Sequence, residues 1–266
     1  MKRLFFPAML ACVLGLAQES GPASLKPQPR AKYEAYIHAA EALIQDQASS
    51  AAWLWAERSP ARWRLARSGQ VVVEPWSGAG ESDIGGAIIH DWIGAVFIPG
   101  VKLDRVVAFL QDYAIQQNYY RPEVVKTRLL SHDGNAWKIS YRLVQNKFVT
   151  VVFDVNQTVT WYPVSATRMY TLGSATRIAE VRDADMPSEH ETKQGKDHGY
   201  LWRLNSYWRL EEKDGGVYVE SRSVSLSRTP PFGLGWLFDP IISALPRESL
   251  TRQLAATRSA VHSRPE

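Results

Sequence analysis

The sequence is poor in cysteine: Cys12 is the only one in 266 residues. A disulfide framework is therefore excluded, and stability has to come from an ordinary hydrophobic core. Long apolar runs are missing too. The run Leu4 to Leu16 is broken by Pro7 and falls short of the ~20 apolar residues a membrane-spanning helix needs. Lys and Arg are scattered singly, with no basic stretch, and the formal charge is +4. Nucleic-acid binding requires a concentrated positive footprint and is disfavoured. No G-x-S-x-G, S-x-x-K or H-E-x-x-H motif occurs, so the common nucleophile and zinc signatures are absent. Gly78-Ala79-Gly80 continues as Glu81-Ser82-Asp83 with no helix to follow, which excludes a dinucleotide loop. There is no internal repeat and no low-complexity tract.

What is present begins with a leader. Lys2 and Arg3 precede the short apolar run, and Gly15-Leu16-Ala17 offers small residues where a signal peptidase reads. A cleaved signal peptide over residues 1–17 is expected, with export to the periplasm or the extracellular space. Loss of Lys2 and Arg3 would leave a charge of about +2. Cys12, preceded by Met9-Leu10-Ala11, keeps a lipoprotein open. Residues 18–30, with Pro22, Pro27 and Pro29, read as a linker. Ten tryptophans remain the unusual feature of the composition. Trp fills cores and also lines apolar ligand sites.

Residues 31–85 read as an N-terminal extension. Ala31 to Ser49 has helical spacing through Tyr36, Ala40, Leu43, Ile44 and Gln47. Arg58, Arg62, Arg64 and Arg67 surround Trp63, Val71 to Val73 looks like a short strand, and Ser77 to Gly86 separates this part from the rest. Ala87 to Ile98 is then a β-branched and aromatic strand. A helix is predicted from Lys102 to about Gln116, with Leu103, Val106, Val107 and Leu110 on one face. Strands follow at Val124 to Ser131, Trp137 to Leu143, Val149 to Val155, Thr158 to Tyr162, Thr167 to Val181, Leu201 to Glu211 and Val217 to Ser227. Hairpin signals lie at His132-Asp133-Gly134-Asn135 and Asp214-Gly215-Gly216. Residues 182–199 are charged and read as a mobile loop. Asp239-Pro240 caps a last helix running to about His262, kinked at Pro246, with Ile242, Leu245, Leu250, Leu254 and Val261 inward.

Two stretches carry a resemblance. One is Val106-Val107-Ala108-Phe109-Leu110-Gln111-Asp112-Tyr113 with Tyr119-Tyr120-Arg121-Pro122-Glu123-Val124-Val125. The other is Tyr207-Trp208-Arg209-Leu210 with Asp214 to Glu220 and the helix beyond Pro230-Pro231. They are similar to the START-like superfamily of polyketide cyclase and coenzyme Q-binding proteins, over roughly Gly86 to Val261, which places such a domain at residues 86–266. The resemblance implies an α+β helix-grip fold: a curved antiparallel sheet wrapped around a long C-terminal helix, here with an N-terminal helical extension. It also implies a deep apolar cavity between sheet and helix. Members bind lipids, quinones, polyketides or hormones, and a minority catalyse cyclisation or hydrolysis. Fold alone does not choose among these.

The candidate ligand-binding residues are His90, Trp137, Tyr141, Trp161, Trp202, Ser206, Trp208 and Trp236. His90 and Asp91 are strand neighbours and must point to opposite faces, so one of them should face the interior. Trp202, Leu204, Ser206 and Trp208 should share the cavity face, with Arg203 and Arg209 turned to water. Ser206, His90 and Gly94 are small or polar among the aromatics, and should leave room and orient a ligand. Phe232, Trp236 and Phe238 either cap the cavity or anchor the last helix. Glu189-His190-Glu191 and Asp197-His198 hold metal-ligand residue types, but a loop this polar is better read as solvated. No catalytic residue, metal or cofactor is expected. The function read from the sequence is non-catalytic binding or carrying of a lipid, quinone or isoprenoid-like molecule, with transient membrane contact allowed and oligomeric state open. The alternatives are a cyclase- or hydrolase-like enzyme using the same cavity, and an envelope protein-interaction domain.

Overall fold

The structure is a computed structural model that describes residues 23–146, 150–193, 195–229 and 244–263. Helix α1 spans Pro27–Asp46 and α2 spans Pro60–Arg67, with a 3-10 turn at Ala56–Arg58 between them. Strands β1 (Val72–Pro75), β2 (Glu81–Asp83) and β3 (Ala87–Pro99) come next, then α3 (Leu103–Gln111). The strand run is β4 (Val124–Asp133), β5 (Ala136–Asn146), β6 (Thr150–Ser165), β7 (Arg168–Arg182), β8 (His190–Glu191), β9 (Arg203–Lys213) and β10 (Gly216–Arg228). Helix α4, Ala244–Ser263, ends the described chain.

The ten strands form one sheet in the order β1-β3-β10-β9-β7-β6-β5-β4, with β2 beside β3 and β8 beside β7. Every pairing is antiparallel. The first long strand thus lies against the last, joined through sheet hydrogen bonds rather than through the chain. The β9–β10 turn shows why the hairpins form where they do. Asp214 and Gly215 have φ of 57° and 78°, the left-handed pair of a two-residue turn that matches strand twist. Register shifts in the β4–β5 and β6–β7 ladders mark bulges, which bend the strands they interrupt.

One face of the sheet, called inner here, carries α3 and α4. Helix α4 packs along β1, β3 and β10, with Leu250, Leu254, Ala260 and Val261 buried. Gly94 lets it approach: an added Cβ would stand 2.6 Å from Leu254 Cδ1 and 2.7 Å from Val73 Cγ2. The space expected to help a ligand at Gly94 is therefore filled by Leu254. Pro246 lies in the first turn of α4 as described, where a proline is tolerated. Ile242 lies outside the described residues, as does the side chain of Leu245.

The outer face is covered by the N-terminal segment. Tyr33, Ile44, Trp53 and Leu54 are buried against Ile89, Phe97, Tyr207, Tyr218, Val224 and Leu226. The buried line of α1 is Pro29, Tyr33, Ala40 and Ile44, while Leu43 is exposed. Two sequence expectations change here. Thr150 to Val155 and Thr158 to Tyr162 are one strand, β6, because Asn156 and Gln157 stay paired and the extra residue is in β7, while Val149 lies outside the described residues. Arg209 does not face water. It is buried, donating to the Trp53 carbonyl at 3.1 Å and to Gln47 Oε1 at 3.1 Å. Over β3, β9 and β10 both faces of the sheet are covered, so the rule of one wet face does not apply there.

Candidate functional site

Strand alternation and register fix which side chains share the inner face. Across the sheet at Trp208 the row reads Gly94, Ser221, Trp208, Thr171 and Trp161. The next row reads Trp92, Ser223, Ser206, Gly173, Val159 and Trp137. The one after begins His90, Ser225 and Leu204. In the opposite direction the row is apolar: Val96, Val219, Leu210 and Met169. Polarity therefore rises along the inner face, from a dry end under α3 and α4 to an end lined by hydroxyls.

Helix α4 sits over the β1–β3–β10 side, so the rows on β9, β7, β6 and β5 lie beside it. There Trp208, Ser206, Trp137 and Tyr141 are half-buried and Trp161 is buried. Trp161 Nε1 donates to the Tyr113 hydroxyl at 3.2 Å, and Tyr113 packs on Trp137 with ring centroids 5.6 Å apart. Tyr120, behind them, bonds the Thr257 hydroxyl of α4 at 2.9 Å. A neutral hydrogen-bond chain crosses the same area. The Tyr141 hydroxyl donates to Gln157 Oε1 at 3.1 Å, and Gln157 Nε2 donates to Ser206 Oγ at 2.8 Å. Gly173 makes this chain geometrically feasible, since a Cβ there would stand 2.7 Å from Ser206 Oγ and 2.8 Å from Gln157 Nε2. Burial pushes the Tyr141 hydroxyl above the ordinary phenol range, so it stays protonated and neutral.

His90 also faces inward. Its Nδ1 lies 3.2 Å from Glu81 Oε1 and its Nε2 lies 2.8 Å from Ser227 Oγ. Asp91 points to the outer face, where Arg222 bonds both its oxygens, at 2.9 and 2.5 Å, and the Tyr36 hydroxyl donates to it at 2.6 Å. The neighbour rule thus holds, but both residues are buried, because both faces are covered.

Four of the aromatic candidates, Trp137, Tyr141, Trp161 and Trp208, come together on the inner face with Ser206. Trp202 does not. It precedes the first residue of β9, so strand alternation does not extend to it. Its indole joins the outer-face cluster and donates to Asp197 Oδ1 at 3.1 Å. Trp236 lies outside the described residues, as do Phe232 and Phe238. Sequence reasoning missed Tyr113, Gln157, Gly173 and the inward serines of β10. The serine row was readable, since Ser221, Ser223, Ser225 and Ser227 keep a period of two. The His198–Glu180 contact, 2.6 Å, ties the charged loop after β8 back to β7, and no cluster of three metal-ligating side chains occurs among the described residues. A separate recess of 570 Å3 lies between Val71 and the last turns of α4, lined by Arg258, Ser259 and His262, away from the aromatic rows.

No protein-family model and no curated protein sequence matches the chain. Solved structures do. The STAR-related lipid transfer protein of Xanthomonas axonopodis is similar at 17% identity and TM-score 0.47, over 69% of this chain and 99% of that one. TTHA0849 of Thermus thermophilus is similar at 14% identity and TM-score 0.48, over 64% and 96%. The Zhui aromatase/cyclase of Streptomyces sp. R1128 is similar at 11% identity and TM-score 0.44, over 65% and 94%. The helix-grip assignment itself rests on the sheet order and on α4 lying across β1, β3 and β10.

Proposed function

We propose that the inner face receives an apolar small molecule with one polar end, and that the protein binds and carries it. The observation that supports this most is Tyr141. Enough protein surrounds its hydroxyl to raise the pKa beyond the phenol range, yet the side chain keeps accessible surface. We read that combination, with Trp208, Trp161 and Trp137 on the same face, as a group at the edge of a recess. The walls are Trp208, Trp161 and Trp137, and the polar end has Tyr141, Gln157 and Ser206 to meet. Apolar walls with a few placed hydrogen-bonding groups are the usual make-up of a small-ligand site. A ligand of this class would be a lipid, quinone or isoprenoid-like molecule.

Export belongs to the same reading, on the strength of Lys2-Arg3, the short apolar run and Gly15-Leu16-Ala17. A carrier outside the cytoplasm would handle molecules that water does not dissolve. Native mass spectrometry of protein from its own source tests both parts. The expected result is a chain beginning at or near Gln18 with an apolar molecule bound. A ligand-free chain whose Trp emission ignores added quinones, fatty acids and isoprenoids would remove the carrier reading, and an intact Met1 in a cytoplasmic fraction would remove export.

A further inference from the structure

Three adjacent strands place a serine, a histidine and a carboxylate in line on the inner face. Glu81 of β2 stands directly opposite His90 of β3 in the ladder. Ser227 of β10 lies on the other flank, one step along from the residue paired with Ile89, and shares the inward parity of Ser225. Glu81 Oε1 is 3.2 Å from His90 Nδ1, and Ser227 Oγ is 2.8 Å from His90 Nε2. A carboxylate oxygen only accepts, so Nδ1 carries the proton and donates to Glu81. In the neutral ring Nε2 is then left to accept from the Ser227 hydroxyl. This is the tautomer a general base needs when a carboxylate orients it from behind. His90 is 3% exposed and Ser227 8%, so bulk water does not compete for either. Thr229, one residue past β10, has a buried hydroxyl oxygen without a hydrogen-bond partner among the described residues. It is a spare donor close in sequence to Ser227.

We propose that Ser227, His90 and Glu81 form an acyl-transfer centre that cleaves carboxylic esters of apolar acids or alcohols. The proposal rests on the reading that the inner face admits an apolar molecule, because Ser206 lies two strands and one inward row from His90, about 12 Å by strand spacing and rise. An ester bound over the aromatic rows can thus present its carbonyl to β10. Ser227 Oγ attacks the carbonyl carbon as its proton passes to His90 Nε2. The tetrahedral adduct collapses with cleavage of the bond to the alkoxy oxygen, and His90 returns the proton to the leaving alcohol. Water then attacks the acyl-serine, its proton passes to His90, and the acid leaves as Ser227 regains that proton. Ser227 and His90 are catalytic residues in this scheme, and Glu81 is a positioning residue.

The test uses the mature chain and a fluorophosphonate bearing a decyl group, with Trp emission and intact mass read together. Quenching should precede a covalent mass gain that maps to Ser227. Ser227→Ala should abolish the adduct while quenching and melting temperature hold. His90→Gln should slow labelling by about a hundredfold or more, the scale of general-base contributions. Glu81→Gln should slow hydrolysis of p-nitrophenyl decanoate and change its pH profile, which a purely structural contact would not do. Quenching with no adduct overturns the acyl-transfer centre and leaves the carrier reading intact. Neither quenching nor adduct overturns both. An adduct on another residue, or one indifferent to His90, also overturns the centre.

Discussion

The two faces of the sheet solve opposite problems with the same strands. On the outer face, β9 and β10 present Asn205, Arg209, Glu220 and Arg222, all buried. Each is answered by the N-terminal segment or by a neighbouring strand. Asp91 holds Arg222, and Arg222 stacks on Trp76 at 3.9 Å. Glu220 accepts from the backbone N–H of Trp55 at 2.9 Å and of Ala56 at 2.8 Å. The Tyr33 hydroxyl donates to Asn205 Oδ1 at 2.9 Å. On the inner face the polar groups of β10 are serines, with Ser221 and Ser227 buried and Ser223 and Ser225 half-buried. Buried charges fix one docking geometry, because a displaced partner leaves an uncompensated ion. Neutral hydroxyls beside aromatic walls tolerate an empty or a filled site. The outer face is therefore held closed by paired charges, and the proposed carrier role falls to the inner face, where the groups are neutral.

The contrast breaks most visibly at Arg222. Replacing it with Met strands Asp91 in the interior, and loss of one member of a buried pair costs about 3–5 kcal/mol. The double variant Asp91→Leu with Arg222→Met should recover most of that in urea unfolding. Equal losses in the single and double variants would show that the outer face is held by apolar contact alone. On the inner face the corresponding change is Leu254→Ala, which empties the space over Gly94. It should cost roughly 2–5 kcal/mol, as large-to-small core changes do. An unchanged denaturation midpoint would mean that α4 does not grip the sheet.

Glu220 gives a finer comparison through pH. Burial raises its carboxyl from 4.5 to about 7, against the opposing pull of Arg209 and the two N–H donors. The native state therefore holds a proton that the unfolded chain releases near pH 4.5. This contribution is complete below pH 4.5 and is lost as pH rises to about 7. Stability should fall across that window by an amount on the order of 1–3 kcal/mol. Glu220→Gln should flatten the fall, as read from melting temperature at about pH 4 and about pH 7.5, either side of the window. An unchanged slope would show that the outer-face carboxylate is not the group that titrates. No inner-face serine substitution should alter that slope.

The strand positions and the last helix were legible because each depends on local pattern. Period-two alternation over Trp137 to Leu143 and the Asp-Gly turns need no partner to be recognised. The inward placement of Leu250, Leu254 and Val261 likewise follows from helical spacing. Covering of the outer face was not legible. Nothing between Ala31 and Trp63 announces which surface it will meet, and the charges that receive it lie far along the chain, as the Trp55–Glu220 separation of 165 shows. Arg209 was misplaced for that reason. Trp202 was misplaced because alternation was extended one residue past the start of β9. The Ser227–His90–Glu81 alignment needed the register of three strands, which no single stretch of sequence contains. His90 could be singled out, but not its two partners.

The smallest expected effect separates the faces by tryptophan. Trp208 lies on the inner face between Ser221 and Thr171, half-buried and beside the Gln157–Ser206 hydrogen bond. Trp63 lies on the outer face, stacked on Tyr218 with ring centroids 4.2 Å apart and with Lys213 Nζ 5.1 Å from its ring. Both rings cover apolar surface, so both substitutions to Ala lower stability, and stability alone does not tell the faces apart. Affinity does. A ligand on the inner face loses contact with an aromatic wall in Trp208→Ala, worth about 1.4 kcal/mol or tenfold in Kd if the loss is of the usual size for such a contact. Trp63→Ala should leave Kd within about twofold. Titration of both variants with a quinone and an isoprenoid alcohol, at a temperature where each stays folded, gives the ratio directly. Equal weakening would mean that the outer face moves when the inner face fills. Weakening confined to Trp63→Ala would place the ligand on the wrong side of the sheet and end the recess as the binding site.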